Sequence, residues 1–396
     1  MLLRRLFHMS STKMSQSLDT NTFLDGVRQF VREEIVPNAS KFDASEEFPW
    51  SIIRKAHALG FTNVDAPKEL GGQGMNLQMK TRVYQELAYG CSTIAASLMI
   101  SELAQIPILN SGSDFLKQKY IVQMLKEPLL AGYATTEENA GSDLANAKMD
   151  AIEHGDYFVL NGTKAYVSNG ALSSWFFVLA RTSATESTGK AFTGFIVDKD
   201  LDGIILSDRV PMMGQKCGDV RTLIFKDVRV PRENVVDSVG KGFSIAMQTF
   251  DRIRPVVASL GCGVQKRILD EATKYSLKRE TFGKSIIQHQ SVGNKLANIA
   301  QRFEASKLLV QQAAEKVDCK DPNASYFSSI AKCFCTDSAL QSATEAIQVF
   351  GANGYSSEFP VEKLLRDATA LQFMSGTNDI QRTIITRQLS RQYSKL

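Results

Sequence analysis

The chain has 396 residues and a formal charge of +4, with 43% hydrophobic and 22% charged residues. This composition is typical of a globular protein with a large core. The absence of a basic block beyond the first residues argues against nucleic acid as the main partner. No apolar run approaches the ~20 residues that a membrane-spanning helix needs, so the sequence predicts no membrane span.

The cysteines do not predict a metal site. There are six of them, and the chain has only four histidines. Cys333 and Cys335 form a C-x-C pair without a matching second pair, which is a poor zinc signal. We expect free, mostly buried thiols in a reducing compartment.

The two ends of the chain carry conflicting targeting signals. Residues 1–16, "MLLRRLFHMSSTKMSQ", are arginine-rich and acid-free, which is typical of a mitochondrial transit peptide. The C-terminal Ser-Lys-Leu is a peroxisomal signal. We expect the mitochondrial matrix, with the peroxisome as a second or dual location. Starts at Met9 or Met14 would remove the first signal and keep the second.

Residues 17–130 are predicted to form a helical domain. Phe23, Val27, Phe30, Val31 and Ile35 recur at three- and four-residue spacing, and Pro37 ends that run. Further helices are predicted in "SIIRKAHALGF" and "LQMKTRVYQELAYGCSTIAASLMISELAQIPIL". The turn-rich "KELGGQGMN" separates them.

Residues 131–238 are predicted to form a β-domain of the size of a small barrel. The segment "DYFVLNGTKAYVSNG" has two strand-like runs around Asn161-Gly162, which predicts a hairpin there. Further strands are predicted in "WFFVLAR", "FTGFIVD" and "RTLIFKDVRV", which are rich in Phe, Val and Ile.

Residues 239–396 return to long amphipathic helical runs, such as "QRFEASKLLVQQAAEKV" and "SSIAKCFCTDSALQSATEAIQVFG". The predicted order is therefore helices, strands, helices. The predicted fold class is a multi-domain α+β protein.

Two stretches of the β-domain have residues suited to binding a planar polar ring. The loop "YATTEENAGSDLANAK", residues 133–148, combines hydroxyl side chains with Gly141 and Ser142, and such loops bind rings or pyrophosphates. On the following strand, Tyr166 and Ser168 flank Val167, so that an aromatic ring lies beside a hydroxyl. Taken singly, an ordinary polar loop and a half-buried strand explain both.

Three helical stretches also carry polar clusters. Asp251 and Arg254 share a helix face by i,i+3 spacing, which predicts an ion pair. "KRETFGKSIIQHQ" contains Arg279, Phe282, His289 and Gln290, and "EAIQVFGANGYSSEFPVEKLLRDA" contains Gln348 and Gly351. Singly, a surface ion pair and two polar helix ends would account for them. Together, the residue sequences of these stretches and their order along the chain are far more specific than any one stretch alone.

The chain resembles the acyl-CoA dehydrogenases, most closely the medium-chain type. "TEENAGSD" is similar to the family's first signature, and "RPVVASLGCGVQKRILDEATKYSLKRETFGKSIIQHQ", "QVFGANGYSSEFPVEKLLRDA" and "GTNDIQR" resemble the later ones, in the right order. The resemblance runs from about Leu18 to Ile385. It implies an N-terminal α-helical domain, a central β-barrel domain and a C-terminal four-helix bundle, assembled as a homotetramer with FAD.

The resemblance also implies roles for individual residues. FAD would lie between the β-domain and the C-terminal bundle, and a neighbouring subunit would complete its site. The implied FAD-binding residues are Tyr133, Thr135, Thr136, Gly141, Ser142, Tyr166, Val167, Ser168, Arg279, Thr281, Phe282, His289, Gln290, Gln348, Gly351, Ala352, Gly376, Thr377 and Asp379. Ser142, Asp251 and Arg254 would hold the CoA part of a fatty acyl-CoA, with Met99 at the far end of the acyl pocket.

The family's reaction removes a proton from Cα and a hydride from Cβ of the acyl-CoA. FAD takes the hydride and passes electrons to electron-transfer flavoprotein. The protein must polarise the thioester carbonyl and supply a base for the α-proton.

The base is where this chain departs from the family. The glutamate position before Gly376-Thr377 is Ser375, and the alternative glutamate position is Ile253. A serine hydroxyl is not a base near pH 7, and losing a general base costs roughly 10²–10⁴ in rate, about 3–5 kcal/mol. The backbone N–H of Ser375 would still serve as an oxyanion donor.

Two other acids are candidate substitute bases. Glu102 lies one turn from Met99, although a solvated or paired surface glutamate is the favoured interpretation. Glu138, with Asn139, stands where the family usually has Pro and Gly.

The sequence therefore leaves three hypotheses open. The first is an acyl-CoA dehydrogenase of the medium-chain type, and the second a non-catalytic protein that sequesters or senses acyl-CoA. The third is a peroxisomal oxidase-like protein, although the chain is much shorter than typical members of that group.

Overall fold

The computed structural model describes residues 20–394. The predicted targeting segment 1–16 and the last two residues of the Ser-Lys-Leu tripeptide lie outside this range. Within it the order of helices, strands and helices is confirmed, and so is the predicted fold class.

The N-terminal region is helical. The first amphipathic run forms α1, which passes directly into a π-helical turn before Pro37. The elements are α1 (Thr20–Phe30), the π-turn (Val31–Ile35), α2 (Ala39–Ser45), α3 (Trp50–Ala58), a 3₁₀ turn (Lys68–Leu70), α4 (Leu77–Gly90), α5 (Ser92–Ser111), α6 (Asp114–Leu116), a second π-turn (Lys117–Ile121) and α7 (Val122–Lys126).

Helix α5 corrects one expectation from the sequence. Its 20 residues are apolar enough to cross a membrane by length and composition, but 89% of its apolar window is buried inside the protein. It is the core helix of the N-terminal domain, and its continuous apolar surface packs against neighbours on every side.

The central domain is a curled sheet of seven strands. Its order is β1-β4-β2-β3-β7-β6, with β5 paired to β4. The strands are β1 (Leu130–Ala134), β2 (Asp150–His154), β3 (Tyr157–Ser168), β4 (Ser173–Arg181), β5 (Phe192–Asp198), β6 (Ile204–Leu206) and β7 (Val220–Pro231), with α8 (Thr188–Ala191) before β5.

The prediction of a hairpin at Asn161-Gly162 was wrong. Strand β3 runs through both residues, and the hairpin turn lies between β2 and β3 at Gly155. Gly162, at φ 144°, occupies a bulge in the pairing with β7, and Asn161 exchanges hydrogen bonds with Asp227. The Asn-Gly pair supplies a bulge here because β7 is already paired along both sides of it.

The C-terminal region is built on a bundle of long helices. The elements are α9 (Gly242–Lys278), the small hairpin β8 (Glu280–Thr281) and β9 (Lys284–Ser285), α10 (Gln290–Asp318), α11 (Ala324–Phe350), α12 (Ala352–Tyr355), α13 (Pro360–Leu371) and α14 (Asn378–Tyr393). Helices α9, α10, α11 and α13 pack together, and α9 also packs on α4 and α5.

Two glycines set how closely α9 approaches its neighbours. A Cβ atom added at Gly263 would lie 2.2 Å from the carbonyl oxygen of Gln85 on α4. One added at Gly261 would lie 2.8 Å from the carbonyl oxygen of Cys335 on α11. Helix α9 therefore contacts helices on two sides at backbone distance.

Candidate active site

The turn between α13 and α14 has an unusual backbone at Ser375. Ser375 and Gly376 have φ angles of 54° and 91°, in the left-handed region that side chains other than glycine rarely adopt. Thr377 then caps α14, because its side chain accepts a hydrogen bond from the Ile380 amide at 3.3 Å. A non-glycine residue held in this conformation is a typical feature of a functional turn.

Buried side chains hold this turn from below. The Lys332 ammonium on α11 donates to the carbonyl oxygens of Gln372 (2.8 Å) and Gly376 (2.9 Å) and to Oδ1 of Asn378 (2.7 Å). Gln381 donates to the carbonyl oxygens of Ser375 and Gly376 at 3.3 and 3.2 Å. The carbonyl groups of the turn are thus directed into the protein.

In contrast to these carbonyl groups, the Ser375 N–H has no hydrogen-bond acceptor among residues 20–394. An unpaired amide beside carbonyl groups that are all satisfied is a donor available to a ligand oxygen. The geometry therefore fits the oxyanion role predicted for this amide.

Asp251 and Arg254 form the predicted i,i+3 ion pair on α9. The Asp251 carboxylate also accepts a hydrogen bond from Ser325 Oγ at 2.9 Å. Burial lowers the pKa of Arg254, whose Nε atom is buried without a hydrogen-bond partner. Because buried guanidinium groups are normally saturated, this free donor is consistent with a polar ligand at the pair.

One face of α11 joins this ion pair to the Ser375 turn. Ser325 contacts Asp251, Ser329 donates to Gln381 at 2.9 Å, and Lys332 holds the Gly376 carbonyl. These three residues follow one another at spacings of four and three, so they lie on the same side of the helix. The structure therefore brings together the predicted CoA-binding pair and the predicted catalytic turn.

An apolar wall lies next to both. Met99 on α5 and Ile253 on α9 are buried in the same hydrophobic cluster, against which Met374 and Tyr133 also pack. Tyr133 stacks on Phe177 with ring centroids 4.9 Å apart, and burial raises the pKa of its hydroxyl, which has no hydrogen-bond partner. Position 253, where the resemblance predicts the alternative base, therefore has an apolar core residue.

The hydroxyl-rich loop is attached to β3 by an internal ion pair. Lys164 is fully buried, donates to the Thr135 carbonyl at 3.1 Å and pairs with Glu137 at 2.8 Å. Burial lowers the pKa of Lys164 to about 8. The Ala165 amide donates to the Thr136 carbonyl at 2.8 Å, so the predicted ring-binding loop and the end of β3 are adjacent.

Successive side chains at the end of β3 alternate between solvent and the protein interior. Tyr166 is 64% exposed with a φ of 53°, whereas Val167 is buried and Ser168 is half-buried. The pairing with β7 shifts register between Lys164 and Val167, which turns the Tyr166 ring outward. Tyr166 is thus free to contact a ligand or another subunit.

A second group of predicted FAD-binding residues lies far from the first. These are Arg279, Thr281, Phe282, His289, Gln290, Gln348, Gly351 and Ala352. They occupy the end of α9, the β8–β9 hairpin, the start of α10 and the end of α11. Arg279 follows Asp251 by 28 residues along α9, which corresponds to about 42 Å.

This second group is itself assembled. His289 Nε2 contacts Thr281 Oγ1 at 3.1 Å, which joins the start of α10 to the hairpin. Tyr275 stacks on Phe350 with ring centroids 4.0 Å apart, which joins the end of α9 to the end of α11. Phe282 is 96% exposed at the hairpin tip. Within one subunit these residues therefore lie at the opposite end of α9 from Asp251. Asp379 is also exposed and pairs with Arg382.

The two candidate substitute bases are both poorly placed. Glu102 is buried, which corrects the favoured interpretation of a surface glutamate, and it pairs with Lys80 at 2.7 Å and accepts from the Asn63 amide at 2.6 Å. Burial raises the pKa of Glu102 despite the neighbouring Lys80 ammonium. Glu138 is exposed on the loop surface.

The polar loop fits the edge of a flavin. Neither the Gly141 nor the Ser142 amide has an acceptor among the described residues, and a Cβ at Gly141 would meet no atom within 4 Å. Free amides and the Thr136 and Ser168 hydroxyls form a set of donors suited to ring oxygens, ring nitrogens or phosphate. When bound there, FAD would supply the hydride acceptor.

A large cavity lies elsewhere in the described chain. It has a volume of about 990 Å³ and is bounded by α1, α4, α10 and the loop around Gly72. None of the predicted site residues lines it, so this cavity is separate from the predicted site.

Sequence reasoning missed Lys332, Gln381 and the Lys164–Glu137 pair. Lys332 was visible as a single lysine within the apolar stretch "SSIAKCFC", and Lys164 as one within a strand. A charged residue among apolar neighbours is a signal for a buried, fully bonded group.

The three-domain fold and this site define a class of flavin-dependent oxidoreductases that act on acyl thioesters. Residues 17–128, 132–228 and 240–390 match the family descriptions "Acyl-CoA dehydrogenase, N-terminal domain", "middle domain" and "C-terminal domain", respectively. The chain belongs to the acyl-CoA dehydrogenase family, as its motifs predicted.

Individual relatives support this assignment. The chain is 42% identical over 363 residues to a Caenorhabditis briggsae protein named probable medium-chain specific acyl-CoA dehydrogenase 2, mitochondrial; the match covers 91% of this chain and 88% of the relative. The fold is similar to butyryl-CoA dehydrogenase from Megasphaera elsdenii, with TM-score 0.90, 30% identity, and 94% and 99% of the two chains covered.

A further neighbour is solved with its cofactor. The FAD complex of PigA has TM-score 0.89 and 26% identity to this chain, and the match covers 94% of this chain and 98% of PigA. The FAD expected from the sequence is thus confirmed as the cofactor of a solved protein with this fold.

Proposed function

We propose that this protein binds a fatty acyl-CoA of medium chain length against FAD and dehydrogenates it slowly, because it has no carboxylate base at position 375. The observation that carries the proposal is the Ser375 turn. Its left-handed backbone and free amide are suited to the thioester, and its side chain cannot take the α-proton.

In the binding half of the proposal, three parts of the site contact the thioester, the CoA part and the acyl chain of the ligand. The Ser375 amide would donate to the thioester oxygen and stabilise the enolate-like charge that develops there. Arg254, with its unpartnered buried Nε, and Asp251 would hold the polar part of CoA, helped by Ser142. The acyl chain would enter the apolar cluster toward Met99.

The catalytic half lacks a proton acceptor. Ile253 is apolar, Glu102 is engaged with Lys80, and Glu138 faces solvent. Losing a general base costs roughly 10²–10⁴ in rate. The family's α,β-dehydrogenation would therefore be slow enough for the bound acyl-CoA complex to persist, as a sequestering or sensing role requires.

The assembly and its partners are part of the same proposal. The group around Arg279 and Phe282 is about 42 Å along α9 from Asp251 and would complete the FAD site of a neighbouring subunit, in a homotetramer. Electron-transfer flavoprotein would be the acceptor for any reduced flavin. The mitochondrial matrix is the proposed location, supported by the leader-like composition and by the name of the relative from Caenorhabditis briggsae.

The test is an anaerobic titration of the FAD-loaded protein with octanoyl-CoA, followed by flavin absorbance. We expect a shift of the flavin bands on mixing, without bleaching on the seconds timescale. Rapid bleaching would show that a base is present and would overturn the catalytic half. The control variant Asp251→Ala should weaken the shift, and no shift in the unmodified protein would overturn the binding half.

A further inference from the structure

Two buried thiols meet outside the proposed active site. Cys91 connects α4 to α5, and Cys217 lies in the connection between β6 and β7. Both are almost fully buried, with exposures of 2% and 0%, and their chain neighbours Ser92 and Gln215 bond the same Asp367 carboxylate. They are 126 residues apart in sequence, so only the tertiary structure brings them together.

A buried ammonium group lies beside this pair. Lys363 Nζ on α13 is 3.6 Å from Cys91 Sγ. Cys91 also directly precedes the 20-residue helix α5, so its sulfur lies at the positive end of the helix dipole. An adjacent cation and a helix N-terminus are two surroundings that favour a thiolate, and here they act on the same sulfur.

The electrostatics agree with this geometry. The hydrogen bond from Cys217 lowers the pKa of Cys91 to about 5, and Lys363 contributes to the shift, which outweighs burial. The same hydrogen bond raises the pKa of Cys217. The pair is therefore asymmetric, with Cys91 as the thiolate and Cys217 as the neutral thiol that donates to it.

The cluster also connects three parts of the fold. Asp367, the carboxylate partner of Lys363, accepts hydrogen bonds from Ser92 Oγ at 3.0 Å and from the Gln215 amide at 2.6 Å. These contacts hold the start of α5 and the β6–β7 connection on α13. The two sulfurs are thus kept together by polar contacts that do not depend on the thiols themselves.

The chain contains its own comparison pair. Cys262 on α9 and Cys335 on α11 are also fully buried, in one apolar cluster. They lie among Ala258, Val310, Ala313 and Ala331, and burial raises the pKa of Cys262. Two neighbouring buried thiols are thus common to both pairs, and the ammonium group at hydrogen-bonding distance distinguishes the first.

We propose that Cys91 and Cys217 are a peroxide-sensitive dithiol, in which Cys91 is the attacking residue and Cys217 the resolving one. The Cys91 thiolate attacks one oxygen of hydrogen peroxide, breaking the O–O bond; it becomes a sulfenic acid, and the released hydroxide takes a proton to form water. The Cys217 sulfur then attacks the sulfenic sulfur, forming the disulfide and releasing a second water. Two electrons pass from the two sulfurs to one peroxide.

The experiment treats the full-length, FAD-loaded protein with increasing hydrogen peroxide, then blocks remaining thiols and maps them by mass spectrometry. We expect a Cys91–Cys217 disulfide to form at least about tenfold faster than any modification of Cys262 or Cys335, because a larger fraction of Cys91 is thiolate. Equal reactivity of the two pairs, or no disulfide under native conditions, would overturn the proposal.

Single variants separate the two roles. With Cys217→Ser, the sulfenic acid at Cys91 should persist and be trapped by dimedone. With Cys91→Ser, Cys217 should stay reduced, and the matched control Cys262→Ser should leave disulfide formation unchanged. Oxidation of Cys217 in the Cys91→Ser protein would contradict the assignment of roles. Since the unmodified protein supplies the main measurement, the test does not depend on any variant folding.

Discussion

The Ser375 turn and the buried acidic cluster of Asp65 and Glu102 around Lys80 differ in opposite ways from what proton abstraction requires. The turn has the backbone for it, with a left-handed residue and a free amide, but no carboxylate. The cluster has carboxylates, Glu102 and Asp65, but both are bound to the Lys80 ammonium. A general base needs an unpaired acid in the right position; the turn has no acid, and the acids of the cluster are paired.

The largest expected effect comes from restoring the acid to the turn. Ser375→Glu should raise the rate of flavin bleaching by octanoyl-CoA by roughly 10²–10⁴, because the carboxylate would face the same ligand as the amide. The measurement is anaerobic stopped-flow absorbance. Ser375→Gln is the matched control of equal size without a basic group. An equal gain from both variants, or none from Ser375→Glu, would show that position 375 does not hold the base.

The cluster should respond to loss of its cation. Lys80→Met removes the ammonium that two buried carboxylates share, which leaves Asp65 with Arg252 at 3.3 Å and Glu102 with the Asn63 amide. We expect a loss of about 3–5 kcal/mol in the free energy of unfolding, because Glu102 then has no cationic partner. Urea denaturation measures it. Arg82→Met removes an exposed charge from the same helix and should change stability by less than about 0.5 kcal/mol. Similar effects of the two substitutions would mean that Lys80 does not neutralise the cluster.

A smaller effect is expected at the support of the turn. Lys332→Met removes the donor from three oxygen atoms of the turn and should cost about 2–3 kcal/mol in stability. It should also weaken the octanoyl-CoA-induced shift of the flavin bands. Lys307→Met, an exposed lysine on α10, is the control for both readouts.

The stability of the Lys332→Met variant should also depend on pH less steeply than that of the unmodified protein. Burial lowers the pKa of Lys332 from 10.5 to about 7. Between these values the unfolded chain binds a proton that the folded chain has released, so this lysine makes stability rise with pH, by at most about 1.4 kcal/mol per unit. Denaturation from pH 7 to 9 should show a steeper rise for the unmodified protein than for Lys332→Met. Parallel curves would contradict the lowered pKa.

The smallest effect is expected at Glu138. Its side chain is exposed on the loop surface, so Glu138→Gln should leave both flavin bleaching and stability nearly unchanged, within about twofold and 0.5 kcal/mol. The measurement is the same anaerobic absorbance assay with Ser375 unchanged, followed long enough to record the slow bleaching. A large loss there would identify Glu138 as the group that takes the proton.

The sequence was informative where the pattern is local. The spacing of Phe23, Val27 and Phe30 predicted α1, the i,i+3 spacing of Asp251 and Arg254 predicted their ion pair, and "FTGFIVD" coincides with β5. Each depends only on residues within one element, whose period is visible in the chain.

The sequence was misleading or uninformative where the local structure depends on residues that are far away along the chain. Asn161-Gly162 has a hairpin composition, but pairing with β7 converts it to a bulge. Glu102 reads as a surface residue until Lys80 and Asn63 are placed against it. The three acceptors of Lys332 follow it by about 40 residues, and no period connects them.

The two glycines of α9 have a consequence for substrate choice. Because Gly261 and Gly263 leave no space between α9 and the helices on either side, α9 cannot move apart from α4 or α11 without losing backbone contact. In the proposed complex the acyl chain enters the apolar cluster toward Met99, beside a helix whose position these two contacts fix. We therefore expect differences in acyl chain length to be accommodated at the Met99 end of this cluster, and not by movement of α9 away from α4 or α11.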